Sequence, residues 1–195
     1  MRKKNKDLKR IIKDTAKTIF LKEGYDKISM RNIAKLINYT PTTIYLYYKN
    51  KEELLLDLLA DYNDEYSNQL AKIMCSNFEV QEKLQQYLKL YIKHGTENPA
   101  MFKLLTLFFI NSTSTSNNSK ENASYAMLKG LIEACIENGY FKQESPEKIA
   151  QLMWMEIYGI TSLLTFKPDF NWGDQDELID FSLQNIINSF RPAAN

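Results

Sequence analysis

The chain has 195 residues, of which 44% are hydrophobic, so it can bury a core and is neither disordered nor fibrous. Its net charge at pH 7 is only +1. The charge is unevenly spread, because residues 1–51 hold 14 Lys and Arg against 4 Asp and Glu, whereas residues 52–195 hold 11 against 20. The first part therefore attracts polyanions, although a basic segment can equally be a solvated face.

A membrane or redox role has little support in the sequence. No continuous apolar segment follows the basic N-terminus, and the longest apolar stretch, residues 104–110, is far too short to cross a bilayer. We therefore expect a cytoplasmic protein that has no membrane partner. Cys75 and Cys135 lack the close spacing of a metal or redox site, and we interpret them as reduced, partly buried thiols.

The N-terminal part predicts four helices in close succession. Apolar residues recur at helical spacing over residues 8–20, and Gly24 suits the left-handed position after a helix end. Ser29 can cap a second, short helix. The apolar face of this second helix consists of Met30, Ile33, Ala34 and Ile37.

A tight turn and two further caps follow. Asn38 tolerates the positive φ that such a turn requires. Thr40 and Pro41 are typical of the cap and the first residue of a third helix. Asn50 caps a fourth helix, with Glu53 three residues later as in a capping box.

The remainder shows helical periodicity and no strand alternation, so the predicted fold class is all-α. The predicted helices cover residues 80–92, 98–109, 123–138, 146–166 and 176–190. Gly139 closes the third of these. The polar segment Asn111–Asn122 is predicted to be a mobile surface loop.

The second and third helices, joined by a short turn, form a candidate helix-turn-helix, which can place its second helix in the major groove of DNA. Residues 40–47 are rich in hydroxyl groups and contain no carboxylate. Such a composition suits contact with phosphates and base edges.

The stretch Ile11 to Leu55, IIKDTAKTIFLKEGYDKISMRNIAKLINYTPTTIYLYYKNKEELL, resembles the DNA-binding domain of the TetR family along its whole length. The likeness rests on the aromatic residue before KEGY, on RNIA, and on the signature T-x-Y-x-Y-Y-K-N-K-E-E-L-L. The sequence departs from the family at four positions, namely Ile37, Asn38, Tyr39 and Tyr48, the last of which replaces a usual Phe.

The resemblance implies a homodimeric regulator that binds a double-stranded DNA operator. Thr40, Pro41 and Thr42 would face bases, and Thr43, Tyr45 and Tyr47 would reach bases or flanking phosphates. Lys51 would meet a phosphate at the start of the fourth helix, where the helix dipole favours an anion. Ser29 would do the same or serve only as a cap. Ile44 and Tyr48 are expected to fill the core.

The basic N-terminal tail has two interpretations. It can reach a minor groove or the DNA backbone, or it can be a disordered solubilising end. Its basic residues are Arg2, Lys3, Lys4, Lys6, Lys9 and Arg10.

The helix over residues 146–166 is apolar almost all round and must be covered on both sides. A partner subunit, contacting it together with the last helix, explains the second side. The segment MWMEIYGITSLL also resembles one TetR subgroup that has a Trp with a His-Gly pair nearby; Trp154 and Tyr158-Gly159 occupy those places. Tyr158 therefore stands where that subgroup has His.

A small-molecule effector of unknown identity would bind among residues of the C-terminal helices, although core packing is the more frequent role of such residues. The candidate lining residues are Phe102, Phe109, Met127, Trp154 and Tyr158. Glu156 interrupts the apolar pattern, and it can contact a ligand, pair with a base or lie at the dimer rim.

Catalysis is not supported, because the single histidine, His94, lies at a helix end, where capping or surface residues are usual. We expect no catalytic residue, metal or cofactor. The predicted division is a DNA-binding domain at residues 1–50 and an effector-binding and dimerisation domain at 51–195. The alternative function is a DNA-bound scaffold that recruits a protein partner and lacks an effector pocket.

Overall fold

A computed structural model of the chain describes the backbone of residues 2–111 and 119–193, and the side chains of residues 7–108 and 123–193. These parts contain α-helices and a short 3-10 turn, Tyr25–Lys27, but no strand, which confirms the all-α prediction. The helices are α1 Arg2–Glu23, α2 Met30–Leu36, α3 Pro41–Tyr45, α4 Lys51–Met74, α5 Val80–Glu97, α6 Pro99–Asn111, α7 Ser119–Glu137, α8 Pro146–Phe166 and α9 Gln175–Ser189.

Most helix ends lie where short-range signals predict them. The side chains of Ser29, Thr40, Asn50 and Ser145 each accept a hydrogen bond from the backbone N–H three residues later. These bonds satisfy amide groups that have no partner within the helix. Gly24 and Gly139 adopt positive φ, 88° and 71°, after α1 and α7.

Some helix bounds differ from the predicted ones. Asp174 accepts a bond from the N–H of Glu177, so α9 begins one residue before the predicted start. Helix α1 begins at Arg2 and therefore includes the basic tail. Helix α7 begins at Ser119, inside the segment predicted to be a loop, and residues 112–118 of that segment lie outside the described residues.

The first compact unit contains the described residues up to Asp64 and those of α6 from Ala100. Its core is formed by apolar side chains of α1 to α4 and of α6. Full burial of one large apolar side chain contributes about 1.5–3 kcal/mol. Ile44 and Tyr48 are 0% and 1% exposed within it, as expected. The third helix is thereby fixed by its inner face.

The second compact unit contains Glu65–Pro99 and the described residues from Ser119 onward. Its core is formed by the second part of α4 and by α5, α7, α8 and α9. Helix α4 thus contributes residues to both units, and the domain division at residue 50 stays a prediction. None of the helices in the described ranges is long and apolar enough to span a membrane.

Candidate nucleic-acid interface

The turn between α2 and α3 is held by backbone hydrogen bonds and by one left-handed residue. Asn38 adopts φ 57°, and the N–H of Tyr39 donates to the carbonyl of Ala34 over 2.9 Å. This is the geometry of a Schellman-type helix end, in which Asn replaces the usual Gly at modest cost. The turn therefore forms although residues 37–39 depart from the family pattern.

Helix α3 presents two opposite faces. Ile44 and Tyr48 point into the core, whereas Thr40, Pro41, Thr42 and Tyr45 are exposed. Thr43 and Tyr47 are half-buried. The six predicted base and phosphate contacts therefore belong to one short segment whose polar groups reach solvent.

Leu46 is a candidate contact that the sequence interpretation did not single out. It follows the last residue of α3 in a helical conformation, four residues after Thr42. Its side chain is 80% exposed, the largest value among the large hydrophobic residues in the described parts. The i, i+4 spacing from Thr42 was the signal that could have identified it.

The segment that contains α2 and α3 is basic and has no acidic side chain. The sequence has no Asp or Glu between Asp26 and Glu52, although it has Lys27, Arg31, Lys35, Lys49 and Lys51 there. Such a segment attracts the phosphate backbone, because it has no carboxylate of its own that would repel the phosphates.

Ser29 forms the predicted cap of α2, since its hydroxyl accepts a 3.1 Å bond from the N–H of Asn32. The amide side chain of Asn32 in turn donates to the carbonyl of Lys27 over 3.0 Å. The capping role explains Ser29 without DNA, so its contact with a phosphate stays a prediction.

Lys51 at the start of α4 is bound within its own unit. Its Nζ donates to the carbonyl of Tyr25 over 2.9 Å and lies 3.8 Å from the centre of the Tyr25 ring. Burial lowers the pKa of Lys51, and the charge of Asp26 opposes that effect. The ammonium group thus holds the turn after α1 against the start of α4, a role that its sequence position did not reveal.

A second polar cluster connects three segments, namely α1, α4 and the end of the turn that follows α3. The phenol of Tyr48 donates a 2.6 Å bond to Asp57, and Nζ of Lys9 lies 3.1 Å from the same carboxylate oxygen. Lys13 lies 3.0 Å from Asp61 and 3.9 Å from Asp57. Burial and the bond to Asp57 both raise the pKa of Tyr48, so the phenol remains a donor.

The second unit has an apolar surface on α8 and α9, which we call the α8/α9 surface. Its members are Leu152, Met155, Leu163, Leu178 and Phe181, and all are exposed. Ile149, Met153 and Ile157 on the other side of α8 are buried. Within the described residues, other parts of the chain therefore cover only one of the two apolar sides of α8.

The candidate effector residues fall into different environments. Phe102 on α6 is buried, and the side chain of Phe109 lies outside the described residues. Met127 and Tyr158 are exposed, whereas Trp154 is half-buried with its ring 5.5 Å from that of Tyr125.

Glu156 is half-buried and accepts a hydrogen bond from the hydroxyl of Ser182 on α9. It lies one turn from Leu152 and Ile160 along α8. The bond supplies a partner that a half-buried carboxylate needs, and this partner is a hydroxyl group.

The core of the second unit contains a hydroxyl cluster that sequence analysis missed. Tyr87 donates to the carbonyl of Ser124 over 3.0 Å and shares a 2.8 Å bond with its hydroxyl, and the phenol of Tyr66 lies 3.3 Å from that hydroxyl. The ring of His94 lies 5.4 Å from that of Tyr66, and His94 is buried. His94 is therefore a core residue, which corrects its expected place at the surface.

Comparison with known proteins agrees with this geometry. The family described as bacterial regulatory proteins, tetR family, matches residues 12–58. The chain is 25% identical over 143 residues to the fatty acid metabolism regulator protein of Bacillus subtilis, covering 72% of this chain and 74% of that one.

Two further similarities extend the comparison. The negative transcriptional regulator of the icaADBC biofilm operon from Staphylococcus epidermidis is 32% identical over 105 residues, which cover 45% of this chain and 54% of that protein. The solved structure of a fatty acid degradation regulator from Bacillus halodurans superimposes with a TM-score of 0.69 at 20% identity, covering 92% of this chain and 94% of that one.

The names of the Bacillus subtilis and Staphylococcus epidermidis proteins describe regulators, in agreement with the expectation that the chain has no catalytic role. The helix-turn-helix described above lies within the residues that match the family. Over residues 12–58, which include α2 and α3, the chain is therefore similar to the tetR family of bacterial regulatory proteins.

Proposed function

We propose that the chain is a cytoplasmic repressor that binds a palindromic operator as a homodimer and is released by a small molecule. The observation that carries the proposal is the outer face of α3, which exposes hydroxyl groups and belongs to a basic segment without acidic residues. In a helix-turn-helix, that face enters the major groove. Repression is supported by the printed name of the Staphylococcus epidermidis protein, a negative regulator.

The proposed DNA contacts divide by position. Thr40, Pro41 and Thr42 at the start of α3 face base edges, because they are exposed and precede the buried Ile44. Thr43, Tyr45 and Tyr47 contact bases or flanking phosphates. Ser29 and Lys51 contact phosphates at the starts of α2 and α4, in addition to the internal bonds that both already make.

The proposed dimer uses the α8/α9 surface. Its exposed apolar side chains repeat along one face of α8 and along α9, and large exposed apolar patches mark interaction sites. A two-fold axis brings the same patch of each subunit together. Two DNA-binding domains then read the two halves of one site.

The proposed effector site lies in the domain of residues 51–195, with the DNA-binding domain at residues 1–50. Trp154, Met127 and Tyr158 of the second unit are its candidate lining, and Glu156 is a candidate polar contact. The roles of Phe102 and Phe109 on α6 stay predictions from the sequence. Two of the similar proteins regulate fatty acid metabolism or degradation by name, so fatty acyl compounds are the first to test. The likeness of the segment around Trp154 to the Trp-His-Gly subgroup also stays a proposal.

The proposed release mechanism uses the continuity of α4, which belongs to both compact units. An effector that prefers the DNA-incompetent state would shift α4 and change the separation of the two α3 helices. The Lys51 and Asp57 contacts would carry that shift to the turn after α1 and to α3.

The test begins with selection of bound fragments from a pool of random duplex DNA. We expect an enriched palindrome whose half-sites are separated by about 34–36 Å, or a multiple of it. Thr42→Ser and Thr42→Val should change base preference at one position per half-site, since a good base contact discriminates by about 1–3 kcal/mol. A pool without an enriched sequence would contradict operator recognition.

The second part of the test separates the repressor from a DNA-bound scaffold. Fatty acyl compounds and cationic amphiphiles are titrated against the protein on its selected site. Release of DNA by a compound supports the effector proposal. Tight binding that neither these compounds nor a metabolite extract reverses would favour the scaffold that recruits a protein partner.

A further inference from the structure

Leu46 has an exposure that the fold does not explain. Its side chain is 80% exposed, whereas Ile44 two residues earlier and Tyr48 two residues later are both buried. Burial therefore contributes almost nothing to keeping a leucine at this position. Single exposed leucines are common on protein surfaces, so exposure alone assigns no role.

The position of Leu46 on the helix supplies the second observation. Helix α3 ends at Tyr45, but Leu46, its cap residue, keeps a helical backbone conformation and its N–H donates to the carbonyl of Thr43. Leu46 thus lies one turn after Thr42 on the face opposite Ile44 and Tyr48. This is the face that the proposed function directs into the major groove.

The chemistry of the groove determines what an aliphatic side chain can recognise there. Hydrogen-bond donors and acceptors dominate the base edges, and the methyl group at C5 of thymine is the apolar group that distinguishes an A·T pair. Leucine has no polar group that could contact a phosphate or a base acceptor.

We propose that Leu46 is a specificity-determining residue that selects thymine in each half-site by packing against the C5-methyl group. The inference rests on the proposed function, in which α3 binds the major groove. Four residues of an α-helix rise about 6 Å, so the thymine should lie within about two base pairs of the position that Thr42 contacts.

The experiment removes the methyl group from DNA and the leucine from the protein. Each thymine of the selected site is replaced singly by deoxyuridine, and the dissociation constant is measured for the parent protein, Leu46→Ala and the control Leu21→Ala. Leu21 on α1 is also an exposed leucine. We expect one deoxyuridine per half-site to weaken the parent and the control about fourfold, as burial of one carbon group predicts.

In Leu46→Ala the same replacement should have no effect, because the methyl group has lost its partner. The thermal midpoint of this variant should equal that of the parent, since Leu46 buries little surface. Should Leu46→Ala unfold, Leu46→Met and Leu46→Gln replace it: the apolar Met should keep the sensitivity to deoxyuridine, and Gln should lose it.

The possible failures are distinguishable. If no duplex is enriched, the proposed DNA recognition fails and the inference fails with it. If an operator is bound but deoxyuridine has no effect, or has the same effect in Leu46→Ala, only the inference is overturned. If the sensitivity is lost in Thr42→Ser instead, the methyl contact belongs to Thr42 and the inference is again overturned.

Discussion

The phenol of Tyr48 donates a 2.6 Å hydrogen bond to the carboxylate of Asp57 and thereby connects the end of the turn that follows α3 to α4. The ammonium group of Lys9 on α1 lies 3.1 Å from the same carboxylate oxygen. Three helical segments of the first unit thus meet at one acidic side chain. A phenylalanine, which the TetR family usually carries at this position, would fill the core but leave Asp57 without this donor.

Tyr48→Phe should therefore lower the stability of the free protein while preserving its packing. A hydrogen bond to a charged group contributes about 1.5–3 kcal/mol, and at this chain length each kcal/mol shifts the thermal midpoint by about 2–4 °C. Tyr45→Phe is the control, because Tyr45 is exposed. Equal midpoints for the parent and Tyr48→Phe, measured by circular dichroism, would show that the bond adds no stability.

The same carboxylate should make stability depend on acid pH. Burial raises the pKa of Asp57, but the bonds from Tyr48 and Lys9 and the charge of Lys13 lower it more, so the net shift is downward from 3.8. A lowered folded-state pKa means that the stabilisation is complete above the unfolded-state value and is lost as the pH falls through the folded-state value.

Thermal midpoints measured between about pH 6 and pH 2 test this expectation. Asp57→Asn should be less stable than the parent at neutral pH and should lose less stability below about pH 4. Asp14→Asn, at an exposed site on α1, serves as the control and should retain the acid dependence of the parent. Parallel curves for the parent and Asp57→Asn would assign the acid sensitivity to other groups.

Local signals predicted the helix ends because the contacts that set them join residues close in sequence. Ser29, Thr40 and Asn50 bond the amide three residues later, and Asn38 adopts its left-handed conformation within one turn. The capping box shows the limit of such signals. The carboxylate of Glu53 accepts a hydrogen bond from the N–H of Lys49. The capping-box pattern predicts this bond from the N–H of the cap residue Asn50, one position later.

Contacts between distant residues could not be read from these patterns. The bond from Lys51 reaches Tyr25, 26 positions away, and that between Tyr87 and Ser124 spans 37. Periodicity identifies the face of a helix but not the side chain that meets it, so His94 was expected at the surface and is buried beside Tyr66. The proposed base contacts of α3 also depend on the operator sequence, which cannot be read from the protein sequence.

Lys51→Ala tests whether the ammonium group that bonds Tyr25 also contacts a phosphate. We expect the variant to bind the operator more weakly and to reduce the slope of log affinity against log salt by about one unit. Loss of the carbonyl bond should also lower the thermal midpoint of the free protein. Lys72→Ala, in the last turn of the same helix, is the control, and its slope should equal that of the parent.

Two results for Lys51→Ala are informative in different ways. A lower midpoint with an unchanged salt slope would show that Lys51 only positions the turn at Tyr25, and the phosphate contact would be withdrawn. Unchanged affinity and an unchanged slope would remove Lys51 from the interface altogether. Lys51→Arg keeps the charge but changes the donor geometry, so a restored slope in that variant would support an electrostatic contact.

Leu163→Glu tests the proposed dimer. Leu163 is 52% exposed on the α8/α9 surface, so a carboxylate is tolerated in a free subunit but would be buried beside its symmetry mate in a dimer. The desolvation penalty is several kcal/mol per ion, which should raise the dimer dissociation constant by well over tenfold. Leu21→Glu, at a similarly exposed leucine on α1, should leave the dimer intact.

Sedimentation equilibrium should show monomers for Leu163→Glu and dimers for both the parent and Leu21→Glu. The monomer should also lose affinity for a full operator while keeping weak binding to a half-site, because its α3 face is unchanged. A stable Leu163→Glu dimer, or a monomeric parent, would show that the α8/α9 surface is not the dimer interface.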